Sequence, residues 1–331
     1  MLRTVESPIE NELEAHRKAL TGYCYRMIGS GAEAEDAVQE TMVRAWKSVD
    51  KLQERGALKA WLYRIANNVC LDMLQSAQRP ATPMDMGPSS NADAPLGNQL
   101  LDSAYVRPIA DAKVLDEGGD PAALAADKES LRLAFVAALQ HLPAKQRAVL
   151  ILRDVLRWSA AEVAGALDTT TAAVNSALQR AHAQMAERGL TEDSVEPELS
   201  PAQRQLLDRY VDAFWRKDVD TIVSLLTAEA TWDMPPFTSW FKGATNIGWL
   251  IGTECPGGAH DMPMLETRAN GQPAYGLYMR TAAGDFVPFQ LQVLELDGDR
   301  VKHVTAFFDH ALFATFGLPE RLPAEHAPSP R

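Results

Sequence analysis

Trp158 to Met185 reads WSAAEVAGALDTTTAAVNSALQRAHAQM, and its spacing sets the fold of the chain's centre. Ser159 stands where a helix N-cap belongs, and Glu162 completes a capping-box pattern ahead of AAEVAGAL. Past the Leu167-Asp168-Thr169 corner, Thr169 to Thr171 can cap a second helix, AAVNSALQRAHAQM. Two short helices around a tight corner describe a helix-turn-helix. In the second helix Val174, Ala177, Leu178 and Ala181 recur at three- and four-residue steps and form an inward face. The other face shows Asn175, Ser176, Gln179 and Arg180. Amides can pair bidentately with adenine, and arginine with guanine or a phosphate oxygen. The same spacing also fits a two-helix corner of a bundle with a solvated polar face, and pattern alone leaves both open.

Outward from that stretch, composition sets limits. The chain has 331 residues, more than one core usually holds, with 46% hydrophobic and 23% charged side chains, so several globular domains are expected and global disorder is excluded. No apolar run reaches the length of a membrane span and Met1 to Glu14 lacks an apolar signal segment, so a cytoplasmic protein is expected. Cys24, Cys70 and Cys255 lie far apart, which supports neither a disulfide framework nor a four-ligand zinc site; buried thiols are expected. With 32 basic and 44 acidic residues the net charge of -12 argues against unaided DNA binding. Residues 139–189 form the one net-positive block, six basic against four acidic, whereas 190–331 carry 11 basic and 20 acidic. DNA affinity would need help from a partner.

Texture divides the chain further. Ile9 to about Leu74 has helical spacing, with Ala37, Val38, Thr41, Met42, Ala45 and Trp46 as one stripe and Trp61, Ile65, Val69 and Cys70 as another, Trp61 being read as core. Arg79 to Pro121 is rich in proline, glycine, serine and aspartate without periodicity and reads as an acidic flexible linker. After a polar hinge near Gly189 to Ser200 come a capped amphipathic helix, a second short helix near Val219 to Leu226, and alternating segments at 230–234, 275–280, 286–296 and 300–308. Helices followed by an antiparallel sheet make an α+β domain. The fold class is therefore multidomain, two all-α domains plus a C-terminal α+β domain. Its divisions are 1–79, linker 80–127, helix-turn-helix domain 128–189, hinge 190–199 and 200–331.

Two stretches carry a family resemblance. LPAKQRAVLILRDVLRWSAAEVAGALDTTTAAVNSALQRAHAQM resembles region four of bacterial sigma-70 factors of the extracytoplasmic-function (ECF) group. GSGAEAEDAVQETMVRAWKSVDKL with ALKAWLYRIANNVCLDML resembles region two of the same group. The last third, through WDMPPFTSWFKG and FFDHALFATFGLP, resembles the SnoaL-like, ketosteroid-isomerase-like cones that some large ECF factors carry, as does YVRPIADAKVLDEGGDPAA in the linker.

The resemblance implies a promoter-specificity subunit with core RNA polymerase and promoter DNA as partners, without cofactor, metal, membrane or catalytic role. Thr171, Ala173, Asn175, Ser176, Gln179 and Arg180 would read the minus-thirty-five element, and Arg64, Asn68, Asp72 and Arg79 the minus-ten element. Glu35, Asp36, Gln39 and Glu40 would dock on the β′ clamp helices while Val38, Met42 and Trp46 turn inward, and region four would meet the β flap. Family members commonly end region two in an arginine cluster. Here Gln75-Ser76-Ala77-Gln78-Arg79 keeps one basic residue, which implies a weak phosphate grip.

In the last domain Trp232, Met234, Phe237, Trp240 and Trp249 are candidates to line a small-molecule pocket. Asp233, Asp309 and His310 are the tempting catalytic groups, but Asp233 should alternate outward if Trp232 and Met234 point inward, and Asp309 can cap the helix starting at Ala311. A regulatory domain is the primary reading. The alternative is a DNA-binding small-molecule sensor, or a SnoaL-like isomerase or hydrolase.

Overall fold

The computed structural model describes residues 8–52, 55–76, 80–91, 93–94, 96–116, 118, 120–187 and 199–325. In chain order its helices are α1 (Pro8–Glu14), α2 (Arg17–Ile28), α3 (Gly31–Ser48), α4 (Leu58–Ser76), α5 (Pro83–Met86), α6 (Pro121–Leu131) and α7 (Leu133–Gln140). There follow α8 (Ala144–Leu150), α9 (Ala160–Ala166), α10 (Thr171–Ala186), α11 (Pro201–Arg216), α12 (Val219–Leu225), α13 (Ala244–Thr253) and α14 (Ala311–Thr315). The strands are β1 (Leu226–Asp233), β2 (Trp240–Lys242), β3 (Met264–Ala269), β4 (Gln272–Arg280), β5 (Phe286–Asp297) and β6 (Arg300–Phe307). Two compact units result, one from Met1–Ala81 with Val106–Val195, the other from Thr82–Tyr105 with Glu196–Arg331.

The first unit is all-helical. Gly29 ends α2 in the left-handed region at φ +82°, its N–H donating to Tyr25 O at 2.7 Å, and Ser30 then caps α3 by accepting from Glu33 N. Ala37, Val38, Thr41 and Ala45 turn inward as the spacing predicts, but Met42 is half-buried and Trp46 is 58% exposed. The expected inward stripe is thus narrower than the sequence suggests. At 100° per residue Trp46 lies past the edge of the face that Ala37, Thr41 and Ala45 bury, and α3 meets its neighbours through small residues instead. Trp61 is half-buried rather than core, with Leu62, Tyr63, Ala66 and Val69 filling that place. Cys24 and Cys70 are buried, whereas Cys255 is half-buried.

Parts of the segment read as a flexible linker are packed. In the first unit Arg107 N donates to Gly29 O at 2.8 Å and Tyr25 Oη to Arg107 O at 2.9 Å, while Val106, Ile109 and Leu115 are buried. Gly31 allows this approach, since a Cβ there would stand 2.5 Å from Pro108 O. In the second unit Leu100 N donates to Pro236 O at 2.9 Å, Thr238 N to Asn98 O at 3.0 Å and Gly97 N to Ser239 Oγ at 2.6 Å. Backbone pairing and isolated anchors such as Tyr105 hold these residues, and neither leaves a periodicity to read.

The second unit is the expected α+β fold, with a six-stranded sheet in the order β2-β1-β6-β5-β4-β3. The expected antiparallel sheet is corrected to a mixed one, because β1 and β6 run parallel at its centre. Two strands adjacent in space but far apart in sequence pair there, and strand composition does not encode that direction. Helix α11 opens with a Ser200/Gln203 capping box and lays Leu206, Leu207, Tyr210 and Phe214 on the sheet, where Phe214 stacks 6.3 Å from Trp232. Tyr210 Oη donates to Gln292 Oε1 at 2.8 Å in the middle of this core.

Candidate functional site

Helix α10 stands on the corner that the sequence predicts. Ser159 and Glu162 form the reciprocal capping box on α9, Asp168 turns the chain at φ +51°, and Thr170 Oγ1 accepts from Ala173 N at 3.2 Å to start α10. Each such cap is worth about 1 kcal/mol. Val174, Ala177 and Ala181 are buried, Leu178 is half-buried, and Thr171, Ala173, Asn175, Ser176, Gln179 and Arg180 are all exposed. Arg180 Nη1 donates to Ser176 Oγ at 2.6 Å, which lays its guanidinium along the open face. At the far end His182 Nε2 lies 2.6 Å from Asp154 Oδ2, tying α10 to the π-helical turn Ile151–Val155. The sequence reading missed this turn.

On α4, Arg64, Asn68 and Asp72 share an exposed face. Two of them have partners: Arg64 donates to Gly165 O, and Asp72 lies 3.3 Å from Arg44, which also holds Glu40 at 2.6 Å. Asn67, the residue before Asn68, is buried and accepts from Tyr23 Oη at 3.1 Å. Arg79 lies outside the described residues.

Along α3, Asp36, Gln39 and Glu40 are exposed and continue into Val43 and Trp46. Glu35 is half-buried and pairs with Lys113 Nζ. Burial, with Asp36 nearby, raises the Glu33 carboxyl above its usual range against the lowering effect of Arg107. The outward Trp46 and the Glu35–Lys113 pair were not legible in sequence: the first needs the helix's rotation, the second a contact 78 residues away.

In the second unit Trp232, Met234 and Phe237 share one core, to which Trp240 and Trp249 do not belong. Trp232 and Met234 are buried in the core, Phe237 packs edge-on to Phe308 at 5.7 Å, Trp240 donates from Nε1 to Gly87 O at 2.9 Å, and Trp249 is half-buried on α13. Asp233, expected to point outward, is instead buried at 2% exposure and lies 3.1 Å from His303 Nε2 on the neighbouring β6. Burial alone would pull His303 down; Asp233 and Glu295 outweigh it, and the imidazole pKa is raised. Asp309 Oδ1 accepts from Ala311 N at 3.0 Å, as a cap would. Among the described residues no cluster of His, Cys, Asp and Glu could hold a metal ion, and no helix is long and apolar enough to cross a membrane.

Known proteins share this arrangement. Residues 13–80 match the family Sigma-70 region 2, and residues 132–185 match Sigma-70, region 4. The ECF RNA polymerase sigma factor SigG of Mycobacterium tuberculosis is 47% identical over 313 residues, 93% of this chain and 83% of that protein. The chain belongs to the ECF family of RNA polymerase sigma factors. SigJ of the same organism is 32% identical over 222 residues, 67% of this chain and 63% of that protein. The crystal structure of Mycobacterium tuberculosis SigJ has the same fold, with a TM-score of 0.58 at 22% identity, covering 93% of this chain and 99% of that one.

As an ECF sigma factor the protein acts in transcription initiation, binding core RNA polymerase and promoter DNA. Region two is thus carried by α2 to α4 and region four by α7 to α10, while the sheet of the α+β fold follows both. The SigG match spans too much of the chain to stop at region four, so it takes in residues of that third domain.

Proposed function

We propose that this ECF factor reads minus-thirty-five DNA with Thr171, Ala173, Asn175, Ser176, Gln179 and Arg180, and melts minus-ten DNA with Arg64, Asn68, Asp72 and Arg79. Its docking face on the β′ clamp helices is Glu35, Asp36, Gln39 and Glu40, region four meets the β flap, and the SnoaL-like domain regulates the whole in the cytoplasm. The observation that carries this reading is α10: six side chains suited to DNA edges are exposed together while Val174, Ala177 and Ala181 are buried behind them. Trp46 joins the docking face, because a tryptophan left in water beside carboxylates is the kind of anchor that interfaces bury.

In vitro transcription with core polymerase on genomic fragments tests the reading, with the full chain compared to one ending at Gly189. Promoter-specific transcripts from the full chain, altered by the truncation, are expected. Absence of specific transcripts defeats the reading, and identical activity of both chains defeats the regulatory role.

One observation favours a second reading, a small-molecule ligand in the cone. Gln292 is fully buried, and its Nε2 has no hydrogen-bond partner among the described residues. A buried amide nitrogen left unpaired costs about 1–3 kcal/mol. A ligand carbonyl could accept from it, and a thermal-shift screen with apolar ketones would show stabilisation that Gln292→Leu abolishes.

A further inference from the structure

The segment Thr82–Tyr105 precedes region four in the chain but packs with the α+β unit. Its middle, residues 87–91 and 96–101, forms a strap that clasps the loop between β1 and β2. Ser90 N donates to Trp240 O at 2.7 Å, Leu100 N to Pro236 O at 2.9 Å, Thr238 N to Asn98 O at 3.0 Å and Gly97 N to Ser239 Oγ at 2.6 Å. Trp240 Nε1 donates to Gly87 O and Tyr105 Oη to Pro236 O, each at 2.9 Å.

The clasped loop stands at the end of the sheet where β1 and β6 finish and β5 begins. Three rings meet there, Phe308 edge-on to Phe237 at 5.7 Å and to Phe289 at 5.3 Å, and all three pack against the buried core that contains Trp232 and Leu294. Leu96 of the strap packs against the same core. Three residues past Phe289 on β5 is Gln292, held at Oε1 by Tyr210 of that core and left unpaired at Nε2. The strap's apolar anchor and the unpaired amide therefore face one apolar interior.

The strap is held unevenly. Pro83, Ala104 and Tyr105 are buried at the two ends of the segment. Between them Asn98, Gln99, Leu100 and Leu101 are exposed, Leu101 at 80%, and Leu96 is half-buried. Backbone hydrogen bonds at the surface with few buried apolar contacts mark a segment that opens locally while the structure beneath stays folded. Water can replace each of these bonds when the strap lifts.

We propose that the strap is the lid of the cone and Leu96 its plug: an apolar ligand whose carbonyl reaches Gln292 takes the place of Leu96 and lifts the strap. This rests on the ligand reading above and adds its regulation. Seated strap and bound ligand exclude each other, so a ligand that binds only the lifted state shifts the population toward it. The lid lies in the chain between the residues matched to region two, 13–80, and to region four, 132–185. Occupancy of the cone is thereby read out in the segment that joins them.

A reversible staple tests this in the full-length chain. Gln99 and Phe237 form an antiparallel bridge flanked by the bonds Leu100 N to Pro236 O and Thr238 N to Asn98 O. Residues so paired have Cα atoms about 4.5 Å apart, within the span of about 4.4–6.8 Å that a disulfide bridges. Gln99→Cys with Phe237→Cys, in a Cys255→Ser background, holds the strap down when oxidised and frees it when reduced, the reduced form controlling for loss of the Phe237 ring. Methyl octyl ketone, titrated by calorimetry, is the probe. The reduced form should bind it about tenfold more tightly than the oxidised form; equal affinity overturns the lid and leaves the ligand reading standing. In the parent chain the ketone should speed hydrogen exchange at Leu100 N and Thr238 N about tenfold, and unchanged or slower exchange there overturns the mutual exclusion. Without ketone, Leu96→Ala should speed the same two amides while Leu294 N in mid-sheet keeps its rate; no change, or an equal change at all three, overturns the plug. Absence of binding to the reduced form, or binding that Gln292→Leu leaves intact, overturns the ligand reading and the lid with it.

Discussion

Replacing Trp46 with alanine should weaken association with core polymerase while leaving the free protein as stable as before. The indole is 58% exposed on α3, in line with Asp36, Gln39 and Val43. A tryptophan offers up to about 250 Å² of surface, so roughly 145 Å² stands in water and is available to a partner. At about 25 cal/mol per Å² its full burial would contribute about 3.6 kcal/mol, and incomplete coverage brings this nearer 2 kcal/mol. That corresponds to about 30-fold in Kd. Fluorescence anisotropy of labelled sigma titrated with core polymerase, without DNA, measures it directly. The free protein's stability should change by no more than about 0.5 kcal/mol, as for other exposed positions. An unchanged Kd would refute the docking face, and a large loss of stability would refute the placement of the side chain.

Arg180→Ala and Gln179→Ala should each lower minus-thirty-five-dependent transcription by about 1–3 kcal/mol in occupancy without altering core binding, read by transcription on promoters with and without that element. Equal activity of the variants on intact promoters would remove α10 from the readout. His303 has a raised folded pKa, so its stabilisation of the α+β unit is fully present below the unfolded value of about 6.5 and is lost as pH rises through the folded value. Melting curves of that unit's transition across this window should show the decline, and His303→Gln should flatten it. Gly97→Val should displace the packed segment 82–105, because a Cβ there would sit 2.5 Å from Thr238 Oγ1. Faster protease cleavage within 82–105 than in the parent protein is the expected result.

The reading of α10 succeeded from sequence because its information is local. A cap at Thr170, a corner at Asp168 and a three-to-four-residue rhythm are each written within a few residues, and so is the resulting division into inward and outward faces. The same holds for α11 with its Ser200 box, for the acidic side of α3, and for most of the strands. Strand β2, helix α13 and strand β3 escaped notice: β2 is three residues long, and the others lie in a stretch of mixed apolar and glycine residues that favours no single period.

What only the tertiary structure decided is every relation between residues distant in the chain. Composition marked 80–127 as a linker, because proline and glycine without periodicity look the same whether the backbone is free or hydrogen-bonded to a neighbour. Partners such as Gly29 and Pro236 hold parts of it in place. Trp46 was assigned inward because it is apolar, and its place was set by which face of α3 the surrounding helices cover. Asp233 was expected to point outward, and its burial and its partner His303 depend instead on the parallel pairing of β1 with β6 across some 70 residues. Arg26 and Arg147 carry no sequence sign of their burial, since an arginine on a helix is ordinarily solvated. It follows from which helix ends meet, Arg26 reaching Ser130 and Arg147 reaching Met27 O. Sequence therefore determined local helices, their caps and the division of α10 into two faces, while the fold determined which surfaces are open, because burial and pairing are properties of neighbours in space rather than in the chain.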